Sequence, residues 1–233
     1  ATPRTPAHLA AAPLMRRIYR TADAVVTYGD HVSAYVKRRG ARRVHVAPQS
    51  VDNAFWSEPS EEPPADEFTA LFVGRDAPEK GLATLRAAWD GQGRLEVVTG
   101  GRERAELRNF YARAHVLVVP SLRTGSFREP WGLVVNEAMN QRTAIIASDE
   151  VGAAAGGLVR HGRNGLVVPA GDPAALAAAL GRVAGDLPLC ARLGLHGVRD
   201  VRAFNHAAWA DGFAAALRSA GLDRDPLVAW PDA

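Results

Sequence analysis

The chain has almost no cysteine and almost no lysine. Cys190 is its single cysteine, which excludes an internal disulfide and a zinc site built on cysteine clusters. A small buried side chain is its expected role. Among 28 basic residues only Lys37 and Lys80 are lysines. Where arginine carries nearly all the positive charge, a lysine marks a place that wants a compact, mobile ammonium. Lys37 lies in a KRR cluster of surface type, Lys80 in a loop ahead of a helix. No apolar run reaches membrane-spanning length and no signal-peptide pattern is present, so the expectation is a soluble, cytoplasmic protein. The arginines are scattered and form no basic stripe, so nucleic acid is not an expected partner. No two of the seven histidines stand at metal spacing. Neither the P-loop spacing, nor G-x-G-x-x-G, nor the G-x-S-x-G of hydrolases occurs.

What is present is a globular composition. The chain has 233 residues, 47% hydrophobic and 23% charged, enough for one large domain or two small ones. The net charge of +3 is mildly basic. It suits weak attraction to an anionic substrate or to anionic lipid, which makes peripheral membrane contact an allowed partner class.

Apolar runs and helical periodicities alternate along most of the length. Helices are predicted over Leu14–Thr21, Asp30–Arg39 (capped by Asp30, stopped by Gly40), Leu82–Trp89, Ala105–Ala114, Leu133–Asn140, Pro173–Ala184 (capped by Asp172), Leu187–Leu193 and Ala207–Ser219. Strands are predicted over Ala24–Tyr28, Val44–Ala47, Phe68–Val73, Leu95–Val98, Val116–Val119, Ala144–Ala147 and Gly165–Val168. The first dozen residues read as loosely ordered, and the acidic, Pro-rich Ser57–Glu67 as a linker. Continuous apolar strands alternating with helices give an α/β fold with a parallel sheet covered on both faces. Ligands of such sheets sit beyond the carboxyl ends of the strands. Three strand ends carry polar or Gly-rich sequence: Gly74-Arg75, Gly100-Gly101 and Ser121 through Glu129. Those loops are expected to meet at one crevice.

The richest string is EPWGLVVNE, bracketed by Glu129 and Glu137. It leads from a strand into a helix, with Gly132 at the turn. A helix start offers unpaired N–H groups and partial positive charge, which suit a phosphate. Glu137, one turn in, can accept two hydrogen bonds from a vicinal diol such as a ribose, and Glu129 can reach a second polyol. Paired acids near a helix start also serve simply to complement the dipole. The loop GRDAPEKG, Gly74–Gly81, adds Arg75, a planar fork for phosphate oxygens, and Lys80, a point charge. The two can stabilise charge on a departing diphosphate; alternatively Arg75 pairs with Asp76 or Glu79 in a solvated loop. Ser121 and Thr124 can line the same pocket or be ordinary turn residues. His161 reads as an exposed loop residue, His115 as structural, and Trp89, Trp209 and Trp230 as packing residues. Trp131 is expected to pack under the helix start with its amide toward the ligand.

In order, FVGRDAPEKG, VVPS, EPWGLVVNEAM and NGLVVPAGDP resemble the C-terminal, nucleotide-binding half of glycosyltransferase family 4, of GT-B fold. The resemblance covers roughly Val44–Ala220. VAPQSVDNAFW resembles the family's crossover between domains, with Gln49-Ser50 where Asn-Gly is usual. The resemblance implies a retaining hexosyltransferase that takes a UDP- or GDP-sugar donor, needs no cofactor and no obligatory metal, and glycosylates a glycan, lipid or small-molecule acceptor. It implies that Gly74, Arg75 and Lys80 hold the donor diphosphate, that Glu137 holds the ribose, and that Glu129 contacts the transferred sugar. The amides of Trp131, Gly132, Leu133 and Val134 would meet sugar and phosphates. Arg75, Lys80 and Glu129 are then the residues nearest the chemistry. The two glutamates hold hydroxyls; they are not assigned a glycosidase pair's roles.

Two features depart from the family pattern. Only about fifty residues precede the crossover, where relatives carry a whole acceptor domain; RTADAVVTYGDHVSAYV resembles that domain's ending. Between Gly100-Gly101 and Arg104 a further helix and strand are usual. The expected division is therefore 1–52, a remnant of the acceptor-side domain with the crossover; 53–67, linker; 68–200, nucleotide-sugar-binding domain; and 201–233, C-terminal helix and tail. A two-stranded remnant cannot close its own core. That motivates a second reading, a non-catalytic nucleotide-binding module that needs a partner chain or self-associates. A sugar phosphorylase is disfavoured, since no candidate cofactor lysine stands out.

Overall fold

A computed structural model of the chain describes residues 6–60, 62, 65–125 and 127–222. The chain folds as two compact units. One runs from Gln49 to His206; the other combines the stretch ending at Pro48 with the stretch beginning at Ala207.

The first unit is built on five strands: β3 (Thr69–Val73), β4 (Arg94–Val98), β5 (Val116–Val119), β6 (Ala144–Ser148) and β7 (Gly165–Val168). They form one parallel sheet in the order β4-β3-β5-β6-β7. The apolar runs of β3, β5 and β6 are buried along nearly their whole length, as expected of strands covered on both faces, whereas β4, at the sheet edge, buries only alternate residues. Alternation then sorts the side chains. Phe68, Ala70 and Phe72, with Val116, Val118 and Ile146, join one core with Leu85 of α4 (Leu82–Ala88), Leu176 and Leu180 of α8 (Pro173–Ala184), and Leu189 and Leu193 of α9 (Leu187–Val201). Contacts of α5 (Arg104–Arg113) with β3, and of α6 (Val134–Asn140) with β5 and β6, supply further cover. The α/β fold class expected from the sequence is the one observed.

Local chemistry accounts for several boundaries. Asp172 caps α8, accepting hydrogen bonds from the amides of Ala174 and Ala175 at 3.0 Å each, with Pro173 in the first turn. Asp186 caps α9 through the amide of Leu189, at 2.8 Å. Helix α9 continues eight positions beyond the predicted end at Leu193. Gly194 and Gly197 do not stop it; they let it press on its neighbours. A Cβ on Gly194 would fall 1.8 Å from the Arg142 carbonyl oxygen, and one on Gly197 3.2 Å from Met139 Cγ. Two short helices escaped the periodicity argument, α3 (Asn53–Ser57) and α7 (Gly152–Ala155), being too short to show a repeat. Ser60 and Glu62, in the predicted linker, are tied to α5: Ser60 Oγ donates to Asn109 Oδ1 at 2.9 Å, and Arg113 Nη1 lies 2.6 Å from Glu62 Oε2. Glu61, Pro63 and Pro64 lie outside the described residues.

The second unit holds a parallel pair, β1 (Val25–Thr27) and β2 (Val44–Val46). With it are α1 (Pro6–Thr21), α2 (Asp30–Lys37) and part of α10 (His206–Ser219). Helix α1 begins earlier than the predicted Leu14 and carries Pro13 inside it. Asp30 does not cap α2, as had been expected; Gly29 holds the cap position and no side chain caps the helix. Asp30 sits one place later, in the first turn, where its charge complements the dipole. Gly212 lets α10 approach β2, since a Cβ there would lie 2.3 Å from the Val46 carbonyl oxygen. Trp209, expected to pack, is 45% exposed, its ring tilted against Phe213 at 4.4 Å between centres. Trp230 lies outside the described residues. Among the described residues no single helix is long and apolar enough to cross a membrane.

Candidate functional site

Within the five-stranded sheet the chain starts at β3, adds β4 on one side, then crosses to β5 on the other. That reversal is a topological switch point, and it leaves a crevice beyond the carboxyl ends of β3 and β5. A cavity of about 260 Å³ lies there. Phe72 and Val73 of β3 line it with Gly74 and Arg75 just after, Val119 of β5 with Ser121 just after, and Lys80, Glu129, Gly132, Leu133, Val134 and Glu137 from the segments that follow.

Backbone geometry brings these segments together. After β3 the chain makes a 3-10 turn, Pro78–Lys80, ended by Gly81 in the left-handed region at φ 73°. Gly81 sits against the end of β5, where a Cβ would be 2.0 Å from the Pro120 carbonyl oxygen. Only glycine satisfies both conditions. The amide of Leu122 donates to the Glu79 carbonyl oxygen at 2.8 Å, which locks the two loops. Gly132, at φ 89°, turns the chain into α6, whose first amides lack partners within the helix.

Four charged side chains converge on the cavity. The Lys80 ammonium forms an ion pair with Glu129 Oε2, to which Ser121 Oγ also donates at 3.3 Å. Arg75 lies 3.0 Å from Glu79, with its side chain 70% exposed; of the two partners weighed from the sequence, Glu79 is the one it takes. Glu137 accepts a 2.7 Å hydrogen bond from the Tyr111 hydroxyl. Burial pushes the Glu137 carboxyl above its ordinary range, while that hydrogen bond and the charge of Arg104 pull it back. Burial also drives the Tyr111 hydroxyl well upward, and the Glu137 charge adds to the effect, so it stays a donor.

Of the residues singled out from the sequence, Gly74, Arg75, Lys80, Glu129, Gly132, Leu133, Val134 and Glu137 line this one cavity. Trp131 does not. Its ring is buried at 3% exposure, its indole N–H donates to Asn136 Oδ1 at 2.7 Å, and Gly156 leaves room for it. Gly100 and Gly101 are exposed and absent from the lining, because they follow β4, the outer strand of the sheet. Thr124 is likewise not in the lining; its Oγ1 accepts from the Phe127 amide at 3.0 Å. Tyr111 went unnoticed in the sequence, where a tyrosine inside an amphipathic helix signals only packing. His115 accepts from the Thr69 amide at 3.2 Å through Nδ1, a structural bond, and burial lowers its pKa. His161 is exposed, its Nδ1 accepting from the Val167 amide at 3.1 Å. Cys190 donates to the His115 carbonyl oxygen at 3.2 Å; burial pushes its thiol up to about 12, so it is inert. Among the described residues no three His, Cys, Asp or Glu side chains gather as metal ligands.

Residues 53–186 match the family described as "Glycosyl transferases group 1". A D-inositol 3-phosphate glycosyltransferase of Streptomyces bingchenggensis is 38% identical over 120 residues, which are 48% of this chain and 24% of that protein. The matched part thus spans about a quarter of that relative's length. A sucrose-phosphate synthase from Thermosynechococcus elongatus superposes with a TM-score of 0.72 at 26% identity, covering 90% of this chain and 61% of that one. Anabaena Alr3699/HepE, solved in complex with UDP-glucose, superposes with a TM-score of 0.72 at 19% identity, covering 92% of this chain and 70% of that one.

Proposed function

The chain belongs to the glycosyl transferases group 1 family, and from that membership and the geometry of its crevice we propose that it serves a retaining sugar transfer from a nucleoside-diphosphate sugar to an acceptor hydroxyl, in the manner of family 4. The observation that carries this reading is the convergence of Arg75, Lys80, Glu129 and Glu137 on one cavity at the switch point. Two cations suit a diphosphate. Two carboxylates suit the hydroxyls on either side of it. At about 260 Å³ the cavity is smaller than the roughly 300–1,000 Å³ that enclose whole ligands. It therefore takes the middle of such a donor, the diphosphate with its flanking hydroxyls, and leaves the base further out. A bound UDP-glucose in the HepE complex supports this ligand class.

In the proposed reaction the bond between the sugar and the diphosphate breaks, and charge accumulates on the departing nucleoside diphosphate. Lys80, with Arg75 at the rim, stabilises that charge as it develops. The amides of Gly132 through Val134, at the turn into α6, face the same group. Glu129 orients the sugar, and Glu137 holds the ribose diol. The acceptor hydroxyl attacks from the face the diphosphate leaves and passes its proton to the departing phosphate oxygen, so catalysis consists of positioning and leaving-group stabilisation.

Isothermal titration with UDP, GDP and ADP tests the reading. One nucleotide is expected to bind well ahead of the other two; no saturable binding of any would overturn it. A second reading rests on the two-stranded sheet of the smaller unit, which is short for a self-sufficient core. It makes the chain a nucleotide-binding module that works with a partner chain or a second copy of itself. Tight nucleotide binding without release of nucleotide from any sugar donor would favour that reading over catalysis by the chain alone.

A further inference from the structure

Tyr111 heads the fully buried side chains by volume, yet its polar end does not stop in the core. The ring sits edge-on to Trp56, 5.8 Å between centres at 62°. Its backbone carbonyl accepts from Thr143 Oγ1 at 2.8 Å, anchoring the end of α5 to the start of β6. From that fixed post the hydroxyl donates to Glu137 Oε2 at 2.7 Å. Phenylalanine would fill the same space without the cost of burying a hydroxyl, so packing alone does not explain a tyrosine here. What the hydroxyl adds is a hold on a carboxylate that lines the candidate site.

Resting on the reading of Glu137 as the ribose-binding group, we propose that Tyr111 is a positioning residue for diol recognition. A glutamate has three rotatable bonds and loses considerable freedom when fixed. Tyr111 restricts that freedom before any ligand arrives, so the loss is not charged against binding. A carboxylate has about four lone-pair sites; the tyrosine occupies one on Oε2 and leaves the rest for a pair of vicinal hydroxyls. Arg104, also on α5, adds a charge that favours the ionised form. The consequence is a preference for ribonucleotides over deoxyribonucleotides that depends on a residue touching neither.

The test measures affinity for UDP, GDP and ADP, each beside its 2′,3′-dideoxy counterpart, and reads the pair whose ribose member binds tightest. Tyr111→Phe is expected to weaken the ribose member roughly threefold to tenfold and leave the dideoxy member unchanged. Equal weakening of both members would mean that Tyr111 only supports the fold, and no change in either would mean that it has no part in binding. Either result overturns the proposal. Glu137→Asp draws the carboxylate back from Tyr111 and from the diol alike, so it checks the ribose reading beneath the proposal; full retention of the ribose preference would overturn both. Glu137→Gln separates the two levels. If it keeps the parent's ribose preference, the diol role of Glu137 itself is wrong; if it abolishes the preference while Tyr111→Phe does not, only the role of Tyr111 falls.

Discussion

Lys80 and Glu129, 49 positions apart, form an ion pair inside the crevice. The lysine side chain is 22% exposed and the glutamate 8%, so each is held largely away from water. Arg75 differs, lying on the rim with its own partner, Glu79. The two cations therefore predict different phenotypes. Lys80→Ala and Arg75→Ala should each cost about 1.5–3 kcal/mol of nucleotide affinity, as charge-assisted contacts do. Only Lys80→Ala should also lower thermal stability, because it strands Glu129 without its counter-charge. The double variant K80M/E129Q should regain stability but not nucleotide binding. Calorimetric titration beside thermal denaturation of the variants separates the two effects. An Arg75→Ala variant that unfolds early, or a Lys80→Ala variant that binds as the parent does, would contradict the assignment.

Glu137 costs the unliganded protein stability. Its folded pKa is raised above 4.5, with burial the leading cause and Tyr111 and Arg104 opposing it. Between 4.5 and that raised value the folded state holds a proton that the unfolded state has lost, so stability declines as pH rises through this window. The burial penalty is absent below the window and fully present above it. Glu137→Gln removes the charge and should hold or raise the melting temperature at pH 7, with a flatter dependence on pH across the window. The same substitution should weaken nucleotide binding roughly tenfold or more, the scale of a lost hydrogen bond to a charged group. A melting temperature that drops at pH 7 would show that the carboxylate is stabilising where it sits.

The sheet was legible from sequence because buried parallel strands are continuous apolar runs, such as Val116–Val119 and Ala144–Ile146. That Lys80, Glu129 and Glu137 line one crevice was legible because loops after strand ends, and the helix start that one of them leads into, are where a parallel sheet gathers polar side chains. Two kinds of information were not. Gly194 has the look of a helix stop, and only its closeness to Arg142 shows that it serves close packing. Tyr111 and Glu137 are 26 positions apart on different helices, and no periodicity links them. Gly100 and Gly101 misled for a related reason. Glycines after a strand suggest a ligand loop, but strand order decides which loops face the crevice, and β4 lies at the sheet edge.

Gly81 couples fold and site. It adopts φ 73° and lies against the Pro120 carbonyl, directly after Lys80. An alanine there incurs about 1–2 kcal/mol for the left-handed backbone and a further roughly 1–3 kcal/mol for overpacking. Gly81→Ala should therefore destabilise by at least about 2 kcal/mol, read from denaturant titration. It should also weaken nucleotide binding, because relief of the clash displaces the turn that carries Lys80. Gly91→Ala is the control. That glycine also has a positive φ, but nothing lies within 4 Å of the added carbon, so the backbone term alone applies and binding should be untouched.

His115 supplies a pH dependence independent of the crevice. Its Nδ1 accepts from the Thr69 amide, which requires a neutral ring with the proton on Nε2. Burial lowers its folded pKa below 6.5. Between those two values the unfolded state takes up a proton that the folded state refuses, so stability is fully present above pH 6.5 and declines as pH falls below it. Glu137 works in the opposite sense, its contribution falling as pH rises from 4.5, so the two are separable by substitution. His115→Gln keeps an acceptor within reach of the Thr69 amide and cannot protonate. It should flatten the loss of melting temperature just below pH 6.5 while leaving nucleotide affinity unchanged at pH 7. An unaltered slope in that range would assign the dependence to another group.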